Sequence, residues 1–470
     1  MVDPADWAGG APHVHFIAIG GAGMGAIAGI LLEKGYRVSG SDVAESEMTD
    51  RLARGGATVY LGHDAAHVRG ADLVVYSTAL PADNVELRAA RSAGLPVLHR
   101  SEMLARLLNQ GEGIAIAGAH GKTTTTAMIA CILAEAGLDP TFLVGGVIGG
   151  LGTGARAGCG RHIVAEADES DRSFLNYNPA MAVITNIEPD HLEHYGGDFS
   201  NLIQAYADFA ARIKEGGLLV GCADDDRVRA LLRAARCRTE SYTVTGREAD
   251  YAAREIAANG RGAHARVFFA GSELGRITLR VPGVHNVANA LAAIAVAREA
   301  GAEFPAIAAA LAKFTGALRR FQTLYDGGGI TVVDDYAHHP TEIRAAIHAL
   351  KSPGRRLIAV FQPQRYTRTH LLFDQFALAF AEADRVVIAD IYSPAGERPI
   401  PGVSAAALAD AVRARSNPTA AHCPAGGDVL RYLQAAVRPG DLVLTMGAGD
   451  IWKTGAALAE WLRGRPAGAG

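Results

Sequence analysis

The stretch I-A-G-A-H-G-K-T-T-T-T-A-M-I, residues 116–129, constrains this chain more than any other. An apolar run ends near Ala117, glycines follow at 118 and 121, and a helical pattern opens near Lys122. Strand, glycine turn and helix in that order set a helix N-terminus at a strand end, where unpaired N–H groups attract anions. The usual phosphate loop reads G-x-x-x-x-G-K-[ST]. Its first glycine would fall at Ile116; here the spacing is G-x-x-G-K-T, from Gly118 to Thr123. Glycine lets the backbone approach a phosphate closely, Lys122 would bring its charge to the β/γ-phosphates, and the Thr123 hydroxyl would reach Mg²⁺. Lysine is scarce in the chain, so one placed directly behind a glycine turn is poor surface filler. The competing reading is a plain strand-to-helix turn with threonine capping, and Thr124–Thr126 read equally well as early-helix residues.

Three blocks each begin with an apolar strand pattern. In the first, from V-H-F-I-A-I-G-G-A-G to about residue 106, short strands (Y-R-V-S-G-S-D, D-L-V-V-Y-S-T, L-P-V-L-H-R) alternate with helical patterns, as in a parallel sheet flanked by helices. The second spans 107–318 and adds R-H-I-V-A-E-A-D-E-S, A-M-A-V-I-T-N-I-E-P-D-H and G-G-L-L-V-G-C as strands that end in polar residues. In the third, 319–470, the strands are G-I-T-V-V-D-D-Y, R-R-L-I-A-V-F-Q, A-D-R-V-V-I-A-D-I-Y and D-L-V-L-T-M-G-A-G-D, with helices over 341–351, 370–382 and 454–464 and a fraying tail G-R-P-A-G-A-G. The expected fold class is α/β in three domains: N-terminal Rossmann-like, central P-loop ATPase-like with a parallel or mixed sheet, and C-terminal Rossmann-like. Ligands in open α/β sheets bind beyond the carboxyl ends of strands, so the polar clusters there could build one composite site.

Composition removes several function classes. With 45 basic and 49 acidic residues the net charge is −4, which argues against broad nucleic-acid binding. Five cysteines form no C-x-x-C pair, so neither a disulfide framework nor a cysteine zinc site is expected and a reducing compartment fits. Residues 16–32 imitate a membrane span, yet Asp3 and Asp6 rather than basic residues precede them, and Glu33 and Lys34 close the run. They read instead as strand, glycine turn and helix.

That first turn is Ala18-x-Gly20-x-x-Gly23, an imperfect dinucleotide fingerprint, with Asp42 at the strand end where an acid would reach a ribose. Its alternative is a glycine turn that serves helix packing alone. Farther along, Glu166 and His191 each follow a strand, and either by itself reads as a solvated strand end. His191 and His194 stand three apart like a zinc pair, but no third strong ligand has helical spacing, so oxygen ligation of Mg²⁺ is favoured.

Taken in order, A-G-A-H-G-K-T-T-T-T-A-M, E-A-D-E-S-D-R-S-F-L, T-N-I-E-P-D-H-L-E-H-Y-G-G-D-F, G-V-H-N-V-A-N-A-L-A-A, L-R-R-F-Q, D-D-Y-A-H-H-P-T-E-I, F-Q-P-Q-R-Y-T-R-T and M-G-A-G-D-I-W resemble the Mur ligases, the ATP-dependent amino-acid-adding enzymes of peptidoglycan synthesis. The likeness covers nearly the whole chain, and the family carries the shortened loop. It implies a cytoplasmic ligase, monomeric or weakly dimeric, without stable membrane insertion. Its implied substrates are ATP, UDP-N-acetylmuramate and L-alanine, with Mg²⁺ as cofactor. Gly118, Ala119, His120, Gly121, Lys122, Thr123 and Thr124 would bind ATP, with Lys122 on the transferred phosphate. Thr123 and Glu166 would hold one Mg²⁺, and His191 would lie at a second. Asn286 and Asn289 would face the nucleotide, and Arg320 and Asp335 would reach it from the third domain; without the family pattern the two asparagines read as helix-start residues and Arg319–Arg320 as a solvated linker pair. The first domain would hold the uridine diphosphate through Gly20, Gly21, Ala22, Gly23 and Met24, with Asp42, Ser77 and Thr78 nearby.

For the amino acid, a carboxylate calls for an arginine fork. Arg365 and Arg368 are the candidates, with Tyr336 and His338 beside them; a solvated helix start is the other reading of Arg368. Gln364 stands where close relatives commonly have histidine, so no histidine role carries over there. Absence of lysine between residues 123 and 213 sets the chain apart from later-acting family members that use a carbamoylated lysine. Three rivals remain: a ligase adding a ready-made peptide, an NAD-dependent dehydrogenase suggested by the first turn alone, and a non-enzymatic nucleotide-binding scaffold.

Overall fold

The computed structural model describes residues 11–464 apart from 79, 82 and 394–396. The tail expected to fray therefore lies outside the described residues from 465 onward. The chain divides into two compact units. The first comprises Met1–Ala253, Val267–Gly275 and Ala288–Leu311, and the second Arg254–Arg266, Arg276–Val287 and Ala312–Gly470.

Two sheets organise the first unit. Five parallel strands, numbered along the chain, lie in the order 3-2-1-4-5, with His13–Ile17 central between Arg37–Asp42 and Leu73–Tyr76. This doubly wound order brings the strand ends of His13–Ile17 and Leu73–Tyr76 together beside the first glycine turn. The apparent membrane run resolves into the end of His13–Ile17 and a helix of 12 residues, Ala22–Glu33. Among the described residues no helix is long and apolar enough to cross a membrane.

The second sheet is centred on Glu112–Ala117, flanked in parallel by Met181–Ile184 and His162–Glu166. Outside those lie Leu218–Cys222 and Arg238–Thr243 on one side and Thr141–Leu143 on the other, with Ala155–Arg156 antiparallel at the edge. Glu112–Ala117 is buried on both faces except at its first residue, which is why it reads as a continuous apolar run without alternation. The following helix, Lys122–Glu135, buries Thr124 to Leu133 almost without a break, so it lacks a polar stripe. One apolar core joins both sheets of this unit, from Val14 and Ile30 through Leu107 to Tyr206 and Leu219.

A six-stranded mixed sheet organises the Ala312–Gly470 part of the second unit. Gln322–Gly327 pairs antiparallel with Ile330–Asp335; Asp441–Met446, Arg356–Phe361, Arg385–Ile388 and Ala421–His422 follow in parallel. Separate cores cover its two faces. The helix expected over 370–382 is instead two short ones, Tyr366–Leu371 and Phe373–Ala377. Leu372 (φ −108°, ψ 14°) breaks the run, and Leu372 and Phe376 are buried while Leu371 stays exposed.

Candidate active site

In the shortened loop Gly118 takes φ +129° and Gly121 φ +86°, backbone that disfavours a side chain. Space forbids one as well: a Cβ on Gly118 would lie 2.0 Å from Thr185 Oγ1, and one on Gly121 2.6 Å from Asn289 Oδ1. The loop is braced from the next strand end. Asn186 Oδ1 accepts from His120 N–H at 2.9 Å, and Thr185 Oγ1 donates to the His120 carbonyl at 2.6 Å. The first helical hydrogen bond runs from Thr125 N–H to Gly121 O, so the N–H groups of Lys122, Thr123 and Thr124 precede it. That is an anion seat. Thr124, Thr125 and Thr126 are buried, in keeping with early-helix residues.

Lys122 does not point into empty space. Its Nζ donates to Gly118 O at 2.6 Å and to both carboxylate oxygens of Glu169 at 2.8 Å. Burial would lower the ammonium pKa, but Glu169, Asp168 and Glu166 outweigh it and raise it, so the lysine is charged. For Asp168, burial is opposed by Lys122 and the Ser170 N–H, which together hold the carboxyl below its usual range. Glu166 Oε1 accepts from Gly145 N–H at 2.6 Å. Thr123, Glu166 and Asp168 offer hard oxygens of the kind Mg²⁺ takes. Among the described residues His191 and His194 do not come together with a third His, Cys, Asp or Glu ligand; Mg²⁺ ordinarily keeps several waters. His191 sits in left-handed backbone at φ +53°, between Asp190 (3.6 Å) and Glu193 (3.8 Å), and its charge helps to lower Asp168.

At the first turn the left-handed φ of +65° falls on Ala18 rather than on a glycine. Gly21 N-caps the helix in extended backbone, and the first helical bond is Gly25 N–H to Gly21 O, which leaves the N–H groups of Ala22, Gly23 and Met24 ahead of it. Met24 is buried, so only its backbone is available to a ligand. Asp42 Oδ2 accepts from Gly20 N–H at 2.8 Å: the acid expected at a ribose here fastens the turn. Ser77 and Thr78 follow the neighbouring strand Leu73–Tyr76, with Thr78 exposed. A cavity of ≈ 350 Å³ is lined by residues of both turns, among them Gly23 and Lys122, together with Arg51, Arg100, Glu166 and Asp168. Arg100 Nη1 lies 3.4 Å from where a Gly23 Cβ would stand.

In the second unit Asp335 is buried, and its carboxylate accepts from Phe321 N–H (2.9 Å) and Ala337 N–H (2.8 Å); burial pushes its pKa up to about 6. It thereby anchors the 319–321 segment, where Arg319 and Phe321 both take positive φ. The guanidiniums of Arg319 and Arg320 lie over the Tyr336 ring at 4.9 and 5.2 Å, and Tyr336 meets His338 edge to face. Arg365 (φ +66°) precedes the helix that carries Arg368. Arg368 is 7% exposed and donates to Gln364 Oε1 at 3.1 Å, so a solvated helix start does not describe it. Asn286 is likewise buried, with Nδ2 donating to Pro282 O at 2.7 Å.

Sequence reasoning selected Glu166 and missed its neighbours Asp168 and Glu169, which lie in the same E-A-D-E-S motif. It also missed the Thr185–Asn186 brace and the cavity arginines. The motif itself was the signal for the acids. For Arg100, at the start of Arg100–Gln110, no local pattern existed.

Residues 13–112 match the description "Mur ligase family, catalytic domain", residues 116–297 "Mur ligase middle domain" and residues 319–449 "Mur ligase, glutamate ligase domain". The chain is 52% identical over 464 residues to the UDP-N-acetylmuramate–L-alanine ligase of Symbiobacterium thermophilum, covering 97% of this chain and 95% of that one. It is 49% identical over 455 residues to the protein of that name from Pelotomaculum thermopropionicum, covering 96% and 98%. Among solved structures, UDP-N-acetylmuramate-alanine ligase MurC from Thermotoga maritima is similar at 29% identity and a TM-score of 0.79, over 96% of this chain and 99% of that one. A murein peptide ligase from Psychrobacter arcticus matches at 27% identity and a TM-score of 0.71, over 97% and 100%.

Proposed function

The chain belongs to the Mur ligase family, and from that premise we propose that it joins L-alanine to the lactyl carboxylate of UDP-N-acetylmuramate, converting ATP to ADP and phosphate in peptidoglycan synthesis. The observation that carries the reading is one ≈ 350 Å³ cavity lined both by the first glycine turn with Arg51 and Arg100 and by Lys122 with Glu166 and Asp168. A sugar nucleotide seated by its diphosphate on the first turn would extend its lactyl carboxylate toward the phosphate loop. The names of the Symbiobacterium, Pelotomaculum and Thermotoga relatives support the same substrates.

A carboxylate is a poor acyl donor and must be activated. A lactyl oxygen forms a bond to the γ-phosphorus as the bridging oxygen leaves with ADP, giving an acyl phosphate. The neutral amine of alanine then adds to the carbonyl carbon; the tetrahedral adduct expels phosphate and the new amide nitrogen loses its proton. Two anions must meet for the first step. Lys122 and the N–H groups of Lys122–Thr124 supply fixed positive potential where phosphoryl charge develops. Mg²⁺, held by Thr123, Glu166 and Asp168 with His191 near a second ion, would neutralise phosphate charge when bound. The family reading also assigns Asn286, Asn289, Arg320 and Asp335 to the nucleotide, and Tyr336, His338, Arg365 and Arg368 to the amino acid. It includes a cytoplasmic location and a monomer or weak homodimer.

Phosphate release tests the proposal. Release that depends on ATP, UDP-N-acetylmuramate and an amino acid together, fastest with L-alanine in a panel including glycine and L-serine, is the expected result. Preference for a ready-made peptide would reassign the chain to peptide ligation, and release without the sugar nucleotide would refute the acyl-phosphate scheme.

A further inference from the structure

Lysine has three N–H donors, and Lys122 uses three contacts inside the protein: one to the Gly118 carbonyl and two to Glu169. The two oxygens of one carboxylate, each 2.8 Å from Nζ, lie too close in direction to occupy two tetrahedral N–H donors, so Glu169 and Gly118 O together engage two of the three and leave the third for a phosphate. Glu169 is itself rigidly placed. It is 3% exposed, and its backbone carbonyl accepts from Tyr195 Oη at 2.6 Å and from Arg172 N–H at 3.1 Å. The neighbouring acids have other duties: Glu166 Oε1 is engaged with Gly145 N–H and Asp168 Oδ1 with Ser170 N–H.

We propose that Glu169 is a positioning residue for Lys122, holding the ammonium against the Gly118 carbonyl so that its third N–H is aimed at a nucleoside triphosphate. The inference rests on the nucleotide reading of this loop and deepens it. Two opposed effects follow. The carboxylate's negative charge offsets the ammonium charge that draws a phosphate, so it weakens nucleotide binding. Its contact fixes Nζ against Gly118, so the ammonium is aimed at the phosphoryl group and the chemical step is faster. A residue that merely packed in the core would not separate affinity from turnover in this way.

The full-length protein is titrated calorimetrically with a non-hydrolysable ATP analogue in the presence of Mg²⁺, and kcat is taken from phosphate release. Glu169→Gln accepts through one oxygen without a charge, and should bind the analogue about fivefold more tightly while kcat falls at least about tenfold. Glu169→Asp keeps the charge on a shorter stem, and should bind within about twofold of wild type with a lowered kcat. Each variant decides independently, so misfolding of one leaves the other as the test. Unchanged or weaker analogue binding by a folded Glu169→Gln overturns the proposal, as does a parallel loss of affinity and turnover in Glu169→Asp. A wild-type protein that fails to bind the analogue would instead remove the nucleotide reading on which the inference stands.

Discussion

The turns at Gly20–Gly23 and Gly118–Gly121 each follow a buried parallel strand, and each leaves three N–H groups ahead of the first helical hydrogen bond. What surrounds them differs. Beside the first, Asp42 is turned onto the Gly20 N–H, and Arg51 and Arg100 line the cavity with Gly23. At the second, a lysine opens the helix itself and three carboxylates of one motif gather around its charge. Backbone N–H groups and peripheral arginines hold an anion equally well before and during a reaction. A buried lysine among carboxylates and metal-binding oxygens can respond to charge that moves. The first turn is built to bind and the second to discriminate between ground and transition states, which is where rate is gained.

The contrast is broken most directly at Lys122. Lys122→Ala should lower phosphate release by about 10³-fold or more while leaving calorimetric binding of UDP-N-acetylmuramate within about twofold. A comparable loss in both would mean that the turns act as one binding surface. Next in size is Gly118→Ala. Its Cβ would stand 2.0 Å from Thr185 Oγ1 on backbone at φ +129°, so strain and overpacking together should cost about 3 kcal/mol in denaturant unfolding and abolish nucleotide binding.

Much of this was legible in the chain before the fold was described, because it lay in local pattern. The runs I-A-I-A-G and H-F-I-A-I-G announce strand, turn and helix through features a few residues long, and the order of motifs carried the family resemblance. What escaped was non-local. Asp42 stands where a ribose-binding acid would stand, and only the closeness of Gly20 reveals that it fastens the turn. Glu169 looks like any acid of E-A-D-E-S until the fold places it on Lys122, 47 residues away. The strands between Arg238 and Leu279 carry mixed polar and apolar residues with exposed faces and give no continuous apolar run. A helix over 370–382 fails for a related reason: periodicity predicts a helical face, but burial of Leu372 and Phe376 goes with a break at Leu372 itself, which leaves Leu371 exposed.

Acid sharpens the comparison from the side of the first turn. Beneath it, Glu86 is fully buried, accepts from Ser41 Oγ at 2.5 Å, lies 2.7 Å from His67 Nδ1, and has the His15 and His63 imidazoles nearby. Burial pushes its carboxyl up, but the hydrogen bonds from His15, Ser41 and His67 prevail and leave it at about 2 against a usual 4.5. A depressed carboxyl contributes stability above 4.5 that is lost as pH falls toward 2, here up to about 3 kcal/mol. Glu86→Gln should therefore flatten that part of the stability–pH curve relative to wild type. Equal slopes in the two proteins would show that the histidines do not hold a charged Glu86. A smaller effect is expected at the cavity: Arg100→Gln should weaken UDP-N-acetylmuramate binding about tenfold and leave nucleotide-analogue binding unchanged, since it removes a charged donor from beside Gly23.

The smallest change in stability is expected at Gly23, the second residue of the helix that follows the first turn. A Cβ there meets Arg100 Nη1 at 3.4 Å, an ordinary contact with the end of a flexible side chain, and the backbone is not left-handed. Alanine also suits a helix better than glycine. Gly23→Ala should thus unfold within about 0.5 kcal/mol of wild type. The methyl would project into the cavity and lift a diphosphate off the N–H groups of Ala22–Met24, so sugar-nucleotide affinity should drop several-fold with folding intact. A glycine kept for packing behaves in the opposite way, losing stability and sparing affinity, so the two measurements on this one variant decide whether the first turn is a ligand seat or a joint between strand and helix.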